Sequence, residues 1–273
     1  MAFLIKFVFS ENIIAVSLLM FAYMCGPAVG ALICVWRFDA GKRLQTLGLT
    51  FPFKSRKFWL WVGAAYLIPV TLILGASLIH ALAPAVSLQP PVEGYRVLLE
   101  QAGQNPALLD SIPAINLLLI AQFFLLAPLL NTPLMLSEEL GWRGWLWSHW
   151  RPYGFWKTTL LTGFVWGLWH VPIIALGHNY PGLPVWGPIL FIGMCLLITP
   201  AYSLVREKTG SVWGACVMHA TMNGAAAFGF VIQTQTEMPY RGAVGMGGFI
   251  MAALIAFLIV LFYRPNKAVT FPA

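Results

Sequence analysis

The stretch AINLLLIAQFFLLAPLLNTPLML, Ala114–Leu136, carries no charge and runs directly into SEELGWRGWL, Ser137–Leu146. About 20 mainly apolar residues, at 1.5 Å each, are what an α-helix needs to cross the hydrocarbon core of a bilayer. Pro128 and Pro133 should kink this run just ahead of two adjacent carboxylates, Glu138 and Glu139. Ionisable groups at membrane depth are costly, are as a rule partnered, and mark functional sites by default. On a helix Glu139 and Arg143 stand four residues apart on one face, so the guanidinium can hold that carboxylate. Glu138 is then the carboxylate left for chemistry.

Six more runs of the same kind follow outward from this one: Ile13–Trp36, Phe58–Ala83, Thr158–Leu176, Trp186–Val205, Val212–Ile232 and Ala243–Tyr263. Of the 273 residues 59% are hydrophobic and only 9% charged, and the mean hydropathy is +0.78, which excludes a soluble class. The reading is all-α: a single domain over residues 1–273, a polytopic integral membrane helical bundle of about seven transmembrane helices. The first run is longer than the roughly 7–15 apolar residues of a signal-peptide core and has only Lys6 before it, so it reads as a retained span. Gly26-Pro27 should bend it. Cys25, Cys34, Cys195 and Cys216 all lie inside runs with no paired spacing, which supports neither disulfides nor a cysteine metal site.

The formal charge of +7 suggests nucleic acid only in a soluble protein; here the positive-inside rule accounts for it and no nucleic-acid partner is expected. If the spans alternate, Arg37, Lys42, Arg43, Lys54, Arg56 and Lys57 share one side with Arg151, Lys157, Arg206, Lys208, Arg264 and Lys267. Only Lys6, Arg96 and Arg241 fall opposite. The N-terminus is therefore expected outside and the C-terminus in the cytoplasm. Residues 84–113, with Pro84, Pro90, Pro91 and Pro106, read as an external loop. The basic loop 37–57 is short and could hold a brief amphipathic piece on the anionic inner surface. The tail Arg264–Ala273 reads as disordered.

Three further polar groups interrupt the apolar runs. His170 lies in the fourth, one turn after Trp166; His219 and Asn223 lie in the sixth, four residues apart on one face. A carboxylate and an imidazole can hold a water and take its proton, while a second imidazole and an amide can donate to a developing oxyanion. Two His and a Glu could equally hold a divalent metal such as zinc with an open water position. A proton relay or a transporter site would use the same parts. A transporter would show paired, interrupted repeats, whereas these polar residues are confined to the second half of the chain.

The three motifs together, Glu138-Glu139-x-x-x-Arg143, Trp166-x-x-x-His170 and His219-x-x-x-Asn223, resemble the CPBP family of intramembrane proteases over roughly residues 130–230. That family includes the CAAX prenyl-protease type and the bacteriocin-processing (Abi) type. The resemblance implies a motif-bearing catalytic core in that range and an endopeptidase acting on a membrane-associated, possibly prenylated or leader-bearing, peptide or protein. It implies that Glu138 and His170 activate the water, that His219 and Asn223 form the oxyanion hole, and that Glu139 and Arg143 orient the site. The family's second motif usually has Phe where this chain has Trp166. No cofactor is expected, with zinc as the competing possibility. The expected location is a multi-pass protein of a bacterial plasma membrane. The rival reading is a non-catalytic immunity or scaffold protein that retains the motifs.

Other polar residues receive plainer readings. Trp142, Trp145, Trp147 and Trp150 read as an interfacial aromatic belt, with His149 solvated among them. His80 and His178 fall near the outer surface, Arg206-Glu207-Lys208 is a loop charge cluster, and Ser137 is a candidate N-cap.

Overall fold

A computed structural model describes residues 13–39 and 41–265, so Lys6, Lys267 and the tail from Asn266 onward lie outside the described residues. Among the described residues there is no β-strand, only an isolated bridge between Leu88 and Gln233. The helices follow the apolar runs. They are α1 (Ile13–Met24), α2 (Gly26–Phe38), the single turn α3 (Arg43–Thr46), α4 (Arg56–His80) and α5 (Pro91–Gln101). Then come the long helical stretch α6 (Ile115–Tyr153), α7 (Phe155–Ile174), α8 (Trp186–Thr209), α9 (Val212–Val231) and α10 (Met246–Phe262).

Helices α4, α6 and α8 are each long and apolar enough to cross a membrane; the pair α1 and α2, bent by 41° at Gly26-Pro27, would make a fourth span. The bend expected at that dipeptide is present. Helices α7, α9 and α10 carry the remaining three runs in 20, 20 and 17 residues. Along α6 the large side chains Leu117, Leu118, Leu125, Leu126, Leu129 and Leu130 are all exposed. An apolar face of that extent belongs against lipid tails rather than water. The protein is an all-helical integral membrane protein.

The chain divides into two compact units, one of Met1–Val62, Met135–Cys216 and Ile255–Ala273, the other of Gly63–Leu134 and Val217–Leu254. In the first, α7 lies on α8 through Gly163 and Gly167. A Cβ at Gly163 would stand 2.8 Å from Thr199 Oγ1, and one at Gly167 2.8 Å from Ile192 Cα. Small residues at four-residue spacing let helices approach closely where lipid gives no hydrophobic drive for association. Ala31 and Val35 of α2 bury with Leu47 against Leu140 and Trp145.

The second unit is centred on Val92, Leu109, Leu119, Phe123, Phe228 and Val231. The segment 84–113 is more than a loop. Pro90 and Pro91 start α5, where a first-turn proline gives up only an N–H that would have no intrahelical acceptor. Val92 N–H then donates to Asn116 Oδ1 at 2.9 Å and Gln89 N–H to the Ile232 carbonyl at 2.9 Å. In α6 the ladder turns π-helical over Gln122–Leu126. Pro128 has no N–H to offer the carbonyl four residues back, that of Phe124, and the Tyr66 hydroxyl donates to it instead at 2.6 Å. A carbonyl left unpaired among lipid would cost several kcal/mol.

Candidate active site

The sequence places the glutamates near the end of the third span, but the helical stretch does not stop there. Past Pro133 it breaks only at Met135, continues through a turn at Leu136–Glu139, and becomes π-helical over Leu140–Leu146. π-Helical segments widen the ladder locally and recur at functional sites. Glu138 is 3% exposed, and Glu139 and Arg143 1% or less, so these are interior charges. Ser137 caps nothing, because the helix is already running at that point.

The glycines of the motif have a packing role. A Cβ at Gly141 would lie 2.7 Å from Pro27 Cβ and 3.0 Å from the Pro27 carbonyl; one at Gly144 would lie 3.0 Å from the Leu47 carbonyl. Only glycine lets α2 and Leu47 approach this segment so closely. Closure on that side is what keeps the charges from water.

Glu139 and Arg143 pair as their spacing requires, with Arg143 Nη1 3.0 and 3.2 Å from the two carboxylate oxygens. The guanidinium lies 4.5 Å from the ring centroid of Trp166 and 4.3 Å from that of Tyr202, positions that favour cation–π attraction. Arg143 Nη2 reaches Thr199 Oγ1 at 3.5 Å. Behind it Arg206, buried in the last turn of α8, donates from Nε to the Arg143 carbonyl at 2.7 Å. Arg206-Glu207-Lys208 is thus helical, not a loop cluster. Glu207 receives Arg151 at 2.6 and 3.1 Å and the Tyr263 hydroxyl.

Glu138 is held differently. Two indole N–H groups donate to its Oε2: Trp142 at 3.3 Å and Trp166 at 3.1 Å. Trp142 and Trp147 are buried, which corrects the belt reading for these two. A signal for Trp142 was available, since it follows Glu138 by the same four residues that separate Glu139 from Arg143. His149 is also not simply solvated. It stacks on Trp145 at 4.2 Å and meets Asp39 at 3.2 Å, while Trp145 Nε1 donates to the same carboxylate at 3.0 Å.

His170, 9% exposed, follows Trp166 by one turn on α7, and its Nδ1 lies 2.9 Å from the Trp166 carbonyl. A carbonyl can only accept, so Nδ1 carries a proton in this bond. The ring is flanked by Trp169 and Phe191, each 4.6 Å away between centroids. Trp169 in turn stacks on Tyr23 at 4.4 Å, and the Tyr23 hydroxyl donates to the Trp169 carbonyl. Trp166 therefore touches both Glu138, through its side chain, and His170, through its backbone.

His219 and Asn223 stand one turn apart on α9, in the segment that belongs to the second unit; His219 is buried and Asn223 exposed. Gly224, next to Asn223, is where α9 meets α6, since a Cβ there would lie 2.9 Å from Pro128 N. Among the described residues, no three His, Cys, Asp or Glu side chains form a ligand set for a metal ion.

Residues 113–225 match the model of the type II CAAX prenyl endopeptidase Rce1-like family. A CAAX prenyl protease 2 of Methanococcus maripaludis is 30% identical over 114 residues, which is 41% of this chain and 36% of that protein's length. The match thus spans about a third of the curated relative. The family match falls on the stretch that carries the three motifs, and that stretch is similar to type II CAAX prenyl endopeptidases.

Proposed function

We propose that the protein is an intramembrane endopeptidase that cleaves a peptide bond of a membrane-associated protein with a water activated by Glu138. The observation that carries this reading is a buried carboxylate held by neutral indole donors, within a segment similar to CAAX prenyl endopeptidases. Glu139 is neutralised by Arg143, and so Glu138 is the carboxylate available as a base. In the proposed step Glu138 takes a proton from water, assisted by His170 Nε2, and the resulting hydroxide adds to the scissile carbonyl carbon. The carbonyl π-electrons move to oxygen. When the tetrahedral intermediate collapses, the C–N bond breaks and the proton passes to the leaving nitrogen. His219 and Asn223 take the oxyanion-donor roles that the resemblance implies.

The relative's name points to a prenylated CAAX segment as the substrate class for this chain as well. The charge asymmetry supports an N-terminus outside and a C-terminus in the cytoplasm. The reading is metal-independent, with a zinc-held water as its rival, and a chelator separates the two.

The test is cleavage of membrane-tethered peptides, prenylated and not, by the purified protein and by Glu138→Ala, each with and without a chelator. Cleavage abolished in Glu138→Ala and unaffected by chelator is the expected result. Loss with chelator alone would replace it with a metalloprotease, and unimpaired cleavage by Glu138→Ala would overturn the assignment of the base.

A further inference from the structure

We infer that Trp166 is a positioning residue that sets both halves of the water-activating pair, its indole N–H fixing Oε2 of Glu138 and its own carbonyl fixing the Nδ1–H tautomer of His170. This rests on the proposed function above and adds to it a residue whose side chain enters no chemical step. The two indole bonds, from Trp166 and Trp142, fall on the same carboxylate oxygen. Oε2 is thereby committed as an acceptor, and Oε1 is the oxygen that meets the water. The carbonyl bond of His170 is 2.9 Å long, and it turns Nε2 away from the α7 backbone. One residue thus correlates the orientation of two groups that lie on different helices, α6 and α7.

The aromatic ring alone would not do this. Phe, which usually occupies this place in the resembling motif, offers packing but no N–H; Trp adds a donor aimed at a buried anion. Neutral donors are suited to the task, because they fix the carboxylate without a counter-charge, whereas Glu139 carries the Arg143 cation. Other charged or titratable groups within electrostatic reach of Glu138 are Tyr23, Cys195 and Tyr202, with Glu139 and Arg143 one turn or less away along α6. Among the described residues, the two tryptophans are the ones that bond it directly.

The test reads Glu138 itself and needs no substrate. In infrared pH titrations of the purified protein, the protonated-carboxyl band of Glu138 is identified by its loss in Glu138→Gln. In Trp166→Phe this band should appear about one pH unit higher, a tenfold change in proton affinity of the size expected for losing one hydrogen bond to a charged group. Trp142→Phe should shift it the same way by less, and Trp147→Phe, a buried tryptophan whose ring packs on Phe155, should not shift it. In the unaltered protein the ¹⁵N-indole resonance of Trp166 should follow the same titration and stop doing so in Glu138→Gln, a readout that stands even if Trp166→Phe fails to fold. With a cleaved peptide in hand, Trp166→Phe should lower kcat about tenfold with KM unchanged. An unshifted band in folded Trp166→Phe, or a Trp166 resonance blind to the titration, would overturn the inference. Full cleavage by Glu138→Gln alongside a shifted band would instead overturn the function and leave the positioning intact.

Discussion

Two buried polar clusters in this protein solve the same problem in opposite ways. Around Ser77, His80 and Gln233 every group is neutral and the bonds close on themselves. His80 Nδ1 lies 2.9 Å from Gln233 Oε1, and His80 Nε2 accepts from Gly247 N–H at 2.8 Å. The Gln233 amide donates to Ser77 Oγ at 3.2 Å and to the Gly229 carbonyl. Both ring nitrogens of His80 are therefore spent on the protein, and it is a buried strut of the second unit rather than the surface residue its sequence position suggests. Around Glu138, Glu139 and Arg143 the groups are charged, and compensation is uneven: one carboxylate has a cation, the other only indoles. A closed circuit of neutral bonds is what structure needs. A charge held loosely enough to change protonation is what catalysis needs.

The comparison breaks most visibly at Arg143. Arg143→Ala strips the cation from a carboxylate that has no exposure at all, and losing one partner of a buried pair costs about 3–5 kcal/mol. The Tyr202 and Trp166 rings lose their cation in the same change. A large drop in the thermal midpoint of detergent-solubilised protein is expected, and it should exceed that of any other single change in either cluster.

Next comes His80→Ala, which orphans Gln233 Oε1 and Gly247 N–H. Each buried group left unsatisfied costs about 1–3 kcal/mol, so the thermal midpoint should fall clearly. Cleavage per folded molecule should stay at the parent's level, since the His80 circuit is structural. A loss of turnover without loss of stability would show that this cluster is not the passive half of the comparison.

Much of this was legible in the sequence where the signal is local. Each long apolar run became a helix, Gly26-Pro27 bent the first, and the four-residue spacing of Glu139 and Arg143 produced the pair. What stayed hidden depends on partners far away in the chain. His80 meets Gln233 across 153 positions, and Arg206 reaches the Arg143 carbonyl across 63. No periodicity encodes such contacts, so His80 read as a surface group and Arg206 as part of a charged loop. Trp142 and Trp147 depart from the belt expectation for a related reason: tryptophan near a span end suits both an interfacial belt and a buried position, and only the neighbouring helices decide. The π-helical turn at Leu140–Leu146 has no compositional signature either. Its glycines hinted at close contact without saying with what.

Those glycines supply the next smaller effect. Gly141→Ala drives a methyl group against the ring and carbonyl of Pro27, both on the rigid start of α2. Overpacking of this kind costs about 1–3 kcal/mol. Relief should come from moving α2 off the motif, which would admit water toward Glu139 and Arg143. The thermal midpoint should fall modestly, and hydrogen exchange should rise in Leu140–Leu146 ahead of the flanking helices. Unchanged exchange there would mean that the α2 contact does not shield the charged site.

Glu138→Gln should have the smallest effect on stability and so sharpens the contrast furthest. The amide keeps the shape of the side chain and still offers an oxygen to the Trp142 and Trp166 indoles. It removes a buried anion that no cation neutralises, so the change should stay within about 1 kcal/mol of the parent in thermal unfolding. Cleavage, by contrast, should fall by about 10²–10⁴, the range associated with losing a positioned general base. The matching change one residue on, Glu139→Gln, must cost more stability, because it leaves the Arg143 guanidinium buried without its counter-ion. If the two substitutions destabilise equally, adjacent Glu138 and Glu139 are both structural, and the argument that only one of them is kept for chemistry fails at its root.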